Sequence, residues 1–407
     1  MAQQQILGLD IGSETIKAVI AEPIHDGKLL LKAGFRRPSR GMRKGVVVDM
    51  ENATAAVTSL LSKVREVSKG AVKNIYLRVG GSDVRVQNSR GITAVSRANS
   101  EIYKDDIDRV KEASQALNLP PNREVLHTVT REYIVDGVGD IQDPLGMVGA
   151  RLEVLSLIID AFQPTIRNLS KCVGLAGGSI SGLVFGPLAS ASALLSNNQK
   201  ELGVASIDIG YGTTGIAVYE ENKLLHTRVF PVGAGHITSD LAIALKIPVE
   251  VAEKVKLSYG YATSRGTSSK EKIDLQKLDP KVKGSPSRKY ISEVIESRLG
   301  EICELINNDL RGIDRERHLP AGIVITGGGA KLPGIAELFK DELKLATQIG
   351  FPRDNVFETE SKAMLEFVES PEYALALGLV LSNLETQNRR ISMDGTIISK
   401  FFRNLLP

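Results

Sequence analysis

A chain of 407 residues exceeds what one hydrophobic core usually supports, so at least two domains are expected. A formal charge of only +3, with 5% aromatic residues and no tryptophan, argues against a nucleic-acid partner, and 42% hydrophobic with 24% charged residues is a globular composition with no run near the ~20 apolar residues of a membrane span. Cys172 and Cys303 have neither metal spacing nor a disulfide framework and read as small core residues in a reducing compartment; the five histidines show no ligand spacing, and the lack of a basic and apolar leader makes secretion unexpected.

The first element is an apolar run with strand character, Ile6-Leu7-Gly8-Leu9-Asp10-Ile11-Gly12-Ser13-Glu14-Thr15, which turns at glycine and returns through Ile16-Lys17-Ala18-Val19-Ile20. Glycine lets backbone N–H groups approach an anion, Ser13 and Thr15 add hydroxyl donors, and Asp10 is placed to hold the water of a Mg²⁺ ion. A strand over 28–33 follows, then a helix over 51–67 with Ala53, Val57, Leu60, Leu61 and Val64 at helical spacing, then a strand over 74–79. Residues 81–156 read differently, with short alternating strands, a charged helix over 104–117 and a turn-rich stretch over 136–146. They look like an inserted subdomain.

The first lobe resumes with a strand over 155–161, a helix over 165–174 and the small-residue run 186–195, which lets a helix cross another backbone closely. A second hairpin repeats the first: Val204-Ala205-Ser206-Ile207-Asp208-Ile209-Gly210-Tyr211-Gly212-Thr213-Thr214, returning through Gly215-Ile216-Ala217-Val218-Tyr219. Asp208, Gly210, Gly212 and Thr213 match the phosphate and metal-water roles of the first copy. A second insertion spans 235–314, and its polar stretch 263–289 reads as a mobile loop. The third glycine-rich element, Gly322-Ile323-Val324-Ile325-Thr326-Gly327-Gly328-Gly329-Ala330, is a buried-type strand ending in a turn against which a flat base can lie.

In this order the three elements resemble the phosphate-1, phosphate-2 and adenosine motifs of the actin-like ATPase superfamily, which includes actin, MreB, DnaK-type chaperones and sugar kinases. The resemblance implies an α/β, ribonuclease H-like, two-lobed ATPase fold that binds ATP and Mg²⁺, with Gly328, Gly329 and Ala330 near the adenosine and Glu253 and Lys256 facing ribose and purine. It sharpens at the first insertion, where Val125-Leu126-His127, Glu132-Tyr133-Ile134-Val135-Asp136 and Asp143-Pro144-Leu145-Gly146 look like the 1C subdomain of the FtsA family, bacterial division proteins that tether the FtsZ ring to the membrane. The implied organisation is 1–80 with 157–196 as subdomain 1A, 81–156 as 1C, 197–234 with 315–384 as 2A, 235–314 as 2B, 385–394 as a linker and 395–407 as a membrane-targeting helix.

That terminal helix is legible without the family. At ~100° per residue, Ile397, Ile398, Phe401, Phe402, Leu405 and Leu406 share one half of a helical wheel while Ser399, Lys400, Arg403 and Asn404 fill the other, as an interfacial helix on anionic lipid requires. One copy binds weakly and a polymer strongly, by avidity. The resemblance further implies head-to-tail filaments at the division septum on the cytoplasmic face of the membrane, later division proteins recruited through 1C, and the FtsZ C-terminal tail received by subdomain 2B, where Lys289, Arg298 and Arg311 beside the helix over 290–310 are the candidate cations. Tyr211 stands where many relatives have glycine, and Gly186 where several superfamily members have a water-orienting glutamate, so ATPase activity is expected to be slow at most. The rival readings are a PilM-like pilus-platform protein, which is not built around a terminal membrane helix, and a metabolic kinase, which needs a carboxylate base that the sequence does not offer.

Overall fold

The computed structural model describes residues 5–392 apart from 98, 354 and 360. In chain order its elements are β1 (Ile6–Ile11), β2 (Thr15–Pro23), β3 (Leu29–Pro38), the short pair β4 (Met42–Arg43) and β5 (Val46–Val47), α1 (Met50–Val67) and β6 (Ile75–Val79). The insertion follows as β7 (Arg85–Ala94), α2 (Lys104–Gln115), β8 (Arg123–Val135), β9 (Val138–Ile141) and β10 (Arg151–Phe162). Then come α3 (Gln163–Leu175), β11 (Ile180–Phe185), α4 (Gly186–Leu194), α5 (Asn197–Leu202), β12 (Val204–Ile209), β13 (Thr214–Glu220), β14 (Lys223–Phe230), α6 (Ala234–Leu245), α7 (Val249–Tyr259) and α8 (Arg288–Arg311). The chain closes with β15 (Ile323–Thr326), α9 (Ile335–Leu343), β16 (Thr347–Ile349), β17 (Phe357–Thr359), α10 (Lys362–Val368) and α11 (Ala374–Ser392).

Two lobes repeat one plan. In the first, β1, β2 and β3 form an antiparallel meander and β6 and β11 add in parallel beyond β1, giving the order β11-β6-β1-β2-β3-β17. In the second, β12, β13 and β14 form the meander and β15 and β16 add in parallel beyond β12, giving β14-β13-β12-β15-β16. The near-continuous burial of β1, β2, β12 and β13 is what a sheet covered on both faces demands. The stripe on α1, Ala53, Val57, Leu60, Leu61 and Val64, is wholly buried against one face of the first sheet, and Asp49 caps this helix by accepting from the Asn52 N–H at 3.1 Å.

On the other face of that sheet, α4 and α11 cross with almost nothing between them. A Cβ at Gly378 would lie 1.8 Å from the Ala189 carbonyl oxygen, and one at Gly8 would lie 2.3 Å from that of Ala376. The small residues of 186–195 therefore do permit close helix crossing, and the helix that crosses is α11.

The insertion is a four-stranded antiparallel sheet in the order β7-β10-β8-β9 with α2 packed on it. Its boundary differs from the expected residue 156. Strand β10 runs unbroken to Phe162, pairing Leu157–Ile159 with Asn88–Val86 on one side and with Val129–His127 on the other, so residues 157–162 belong to the inserted sheet. Leu157 and Ile159 pack into an apolar cluster with Leu194 and Leu195 of the first lobe and Val204, Leu224 and Val229 of the second. The insertion is thereby welded to both lobes.

Two further expectations change. The polar stretch 263–289 is pinned: Ile273 and Leu275 are buried, the Ile273 N–H donates to the Pro286 carbonyl at 2.9 Å, and the Ser264 N–H donates to Glu296 of α8 at 2.8 Å. The expected linker over 385–394 is helical as far as Ser392, because nothing in 385–392 breaks a helix and α11 continues through it. The membrane-helix residues Ile397, Ile398, Lys400, Phe401, Phe402, Arg403, Leu405 and Leu406 lie outside the described residues.

Candidate functional site

Between the lobes lies a cleft onto which the ends of β1 and β12 converge. Asp10, Gly12, Ser13 and Thr15 line it from the first lobe, and Asp208, Gly210, Gly212 and Thr213 from the second. Each turn is closed in the same way: the Gly12 N–H donates to the Thr15 carbonyl at 3.1 Å and the Gly210 N–H to the Thr213 carbonyl at 2.9 Å. The glycines are sterically required, since a Cβ at Gly12 would approach the Thr15 carbonyl oxygen to 2.7 Å and one at Gly212 would approach Ser13 Oγ to 2.9 Å. The two hairpin tips thus meet at Gly212 and Ser13 and line one cleft together, with N–H and hydroxyl donors from both.

The third glycine-rich turn closes the same cleft. Gly327, at φ +86°, passes so near β12 that a Cβ would stand 2.3 Å from Asp208 Oδ1. Gly328 and Gly329 line the cleft, but Ala330 does not: the short helical turn Gly328–Lys331 rotates it into the second-lobe core, where it is 4% exposed. Opposite, Glu253 and Lys256 of α7 pair at 2.7 Å, and Lys256 also donates to Thr238 Oγ1 at 2.9 Å. Tyr211 lies over the start of α6, where a Cβ at Gly235 would meet its ring at 2.5 Å, and Lys256 sits 5.7 Å from the ring centroid. The second phosphate loop is therefore braced by its own tyrosine.

Burial pushes the Asp208 carboxyl up to about 6, with Arg78 and Lys17 opposing the rise and Asp10 adding to it. Glu14 is also raised, first by burial and then by the nearby Glu253. Among the described residues no group of three or more acidic, histidine or cysteine side chains could hold a metal ion.

The sequence reading missed several charged residues in the cleft. Lys17, 8% exposed on β2, faces Glu372 at 3.7 Å, and the same carboxylate takes Arg36 at 3.4 Å and Lys331 at 3.0 Å. Although burial opposes it, these cations hold Glu372 below its usual range. Arg78 comes from the neighbouring strand β6 and reaches Asp10 at 3.3 Å. Spacing along the chain carries no sign of Glu372 or Arg78, whereas Lys17 follows Thr15 by two residues on a strand and so shares its face. Gly186 lines the cleft as expected, without a carboxylate of its own.

The three partner cations on α8 are already paired. Arg298 binds Asp240 through two bonds of 2.6 and 2.9 Å, Arg311 binds Glu316 at 2.9 and 3.0 Å, and Lys289 stands 3.9 Å from Glu293. The apolar stripe of α8, with Ile291, Ile295, Leu299, Ile302 and Ile306 buried, belongs to the second-lobe core.

Two meander-plus-parallel lobes, joined by facing glycine turns that each follow an aspartate-bearing strand, define the actin-like ATPase fold. Solved structures agree: the PilM–PilN type IV pilus biogenesis complex superposes with a TM-score of 0.67 at 20% identity, covering 93% of this chain and 98% of that one. MreB 5 of Spiroplasma citri bound to AMPPNP gives 0.56 at 15% identity, covering 97% and 100%. Residues 205–378 match the family model of cell division protein FtsA, and residues 81–159 that of the SHS2 domain inserted in FtsA. The cell division protein FtsA of Pseudomonas aeruginosa is 33% identical over 391 residues, 96% of this chain and 92% of that protein, and the one from Borreliella burgdorferi is 35% identical over 388 residues, 95% and 92%. The chain belongs to the FtsA family of cell division proteins.

Proposed function

We propose that this protein binds ATP with Mg²⁺ between its lobes, polymerises head to tail on the cytoplasmic face of the cell membrane at the division septum, and tethers the FtsZ ring there. The observation that carries the nucleotide part is the convergence of two glycine hairpin tips, with Asp10 and Asp208 behind them, on one cleft. Asp10 and Asp208 hold the metal through its waters, Gly12, Ser13, Thr15, Gly210, Gly212 and Thr213 take the phosphates, Glu253 and Lys256 face the ribose and purine, and Gly328 with Gly329 takes the base. Mg²⁺ supplies charge neutralisation of the phosphates when bound. Hydrolysis is slow, because Gly186 offers no group to orient water.

Family membership supports the division role, and the amphipathic pattern of 395–407 supports the membrane role. No described helix is long and apolar enough to cross a membrane. The FtsZ tail docks on subdomain 2B, its acidic groups competing with Asp240, Glu293 and Glu316 for Arg298, Lys289 and Arg311, and later division proteins dock on the inserted subdomain. Co-sedimentation with anionic vesicles tests the reading. The full chain is expected to pellet, more so with Mg-ATP, and a chain ending at Asp394 to stay in solution; equal behaviour of the two in every condition would overturn it.

A further inference from the structure

We propose that Arg78 reads the terminal phosphate and makes the cleft prefer a nucleoside triphosphate to a diphosphate. This rests on the nucleotide reading above and concerns a side chain that belongs to neither phosphate loop. Arg78 sits on β6, one strand beyond β1, and its side chain is 13% exposed at the floor of the cleft. Two glycines make its slot: a Cβ at Gly80 would stand 2.9 Å from Nε, and one at Gly186 3.0 Å. Where the water-orienting carboxylate is missing, the guanidinium lies instead.

Its contacts reach both lobes at once. Nη1 is 3.3 Å from Asp10 Oδ1, and Nη2 is 3.4 Å both from Thr213 Oγ1 of the second phosphate loop and from the Gly80 carbonyl oxygen. These are long beside the about 2.7–2.9 Å of a well-formed charge-assisted bond. Nε is buried and has no hydrogen-bond partner among the described residues, and of the five donors of the fork one on Nη1 is also uncommitted. Nε is enclosed in the glycine slot, so the two terminal nitrogens, which span the phosphate loops through long contacts and keep one donor to spare on Nη1, are the donors for phosphate oxygens.

Charge decides which phosphate gains most. Lys17, Arg36 and Lys331 converge on Glu372, and Lys256 on Glu253, whereas Arg78 is paired with Asp10 and reaches the second phosphate loop at Thr213. Without it, the charge of Asp10 and Asp208 toward the incoming anion is offset only by Lys17 and by the metal that arrives with the phosphates. The penalty rises with each phosphate, so it falls most heavily on the triphosphate.

The test measures Mg-ATP and Mg-ADP affinities by calorimetry for the full chain and its Arg78→Met and Arg78→Lys variants, with thermal unfolding of each in the absence of nucleotide. Arg78→Met is expected to weaken ATP about tenfold or more and ADP no more than about threefold, with Arg78→Lys, which keeps the charge but loses the fork, in between. Equal losses for both nucleotides together with a lower unfolding temperature would make Arg78 a brace for Asp10 and overturn the proposal, as would unchanged affinities. If Arg78→Met does not fold, Arg78→Lys decides by the same ATP-to-ADP ratio. A wild-type chain that binds neither nucleotide would overturn the nucleotide reading itself, an outcome distinct from binding without discrimination at Arg78.

Discussion

Asp208→Asn is expected to make the nucleotide-free protein more stable while abolishing its response to Mg-ATP. Asp208 is the penultimate residue of β12, between Ile207 and Ile209, two buried side chains, and burial raises its carboxyl from 3.8 to about 6. At about 1.4 kcal/mol per tenfold change in proton affinity, a rise of that size corresponds to about 3 kcal/mol, which solvent at the cleft mouth and relaxation toward Arg78 reduce to about 1–2 kcal/mol. The sign follows from the direction of the shift. The folded state holds this proton more tightly than the unfolded chain, so the cost is absent below about pH 4, grows between pH 4 and 6, and is complete above pH 6. Chemical unfolding of wild type and variant in EDTA at pH 4 and pH 7.5 measures it. The variant should gain at pH 7.5 and not at pH 4, and added Mg-ATP should stabilise wild type alone. A variant less stable than wild type at pH 7.5, or a gain of equal size at both pH values, would refute the reasoning.

Glycine substitutions separate close packing from mere helix propensity. Gly378→Ala drives a methyl into the Ala189 backbone and should cost about 3 kcal/mol or more, whereas Gly300→Ala in α8, with no atom within 4 Å of the added carbon, should gain about 0.5–1 kcal/mol; thermal unfolding compares them. Asp309, on α8, accepts from His226 at 2.8 Å and Arg228 at 2.9 Å, and these bonds lower its carboxyl despite an opposing effect of burial. Stability from this site is present above the unfolded value near pH 4 and is lost as pH falls through the lower folded value, so Asp309→Asn should cost about 1–3 kcal/mol at neutral pH, with the gap closing in acid during a pH series of unfolding curves.

What was legible in the sequence is what local chemistry dictates. Asp10-Ile11-Gly12 and Asp208-Ile209-Gly210 announce their turns because a side chain would clash at Gly12 and crowd the turn at Gly210, and the α1 stripe announces a buried face because five apolar side chains recur at helical spacing. Ala330 was misplaced because it follows two cleft-lining glycines directly, and only the tight turn over Gly328–Lys331 reverses its direction. The insertion boundary was misjudged because the apolar run through 155–161 serves two partners: its strand pairing is inside the insertion while Leu157 and Ile159 pack outside it. Low hydrophobicity hid the anchoring of 263–289, to which the buried Ile273 and Leu275 and the hydrogen bonds to Pro286 and Glu296 contribute. Arg78 reaches the cleft through the sheet order and Glu372 through the turn that precedes α11, neither of which any spacing records.

The glycine-tight crossing of α4, α11 and β1 also fixes how this molecule can move. No layer of side chains separates these backbones, so they cannot slide past one another in shear and must travel as a single block. That block carries Gly186 at the head of α4 and Leu375 in the first turn of α11, both in the cleft wall, and the same α11 runs on to Ser392. At 1.5 Å per residue its nineteen residues make a rod of about 28 Å whose direction is set by the same block that forms the cleft wall.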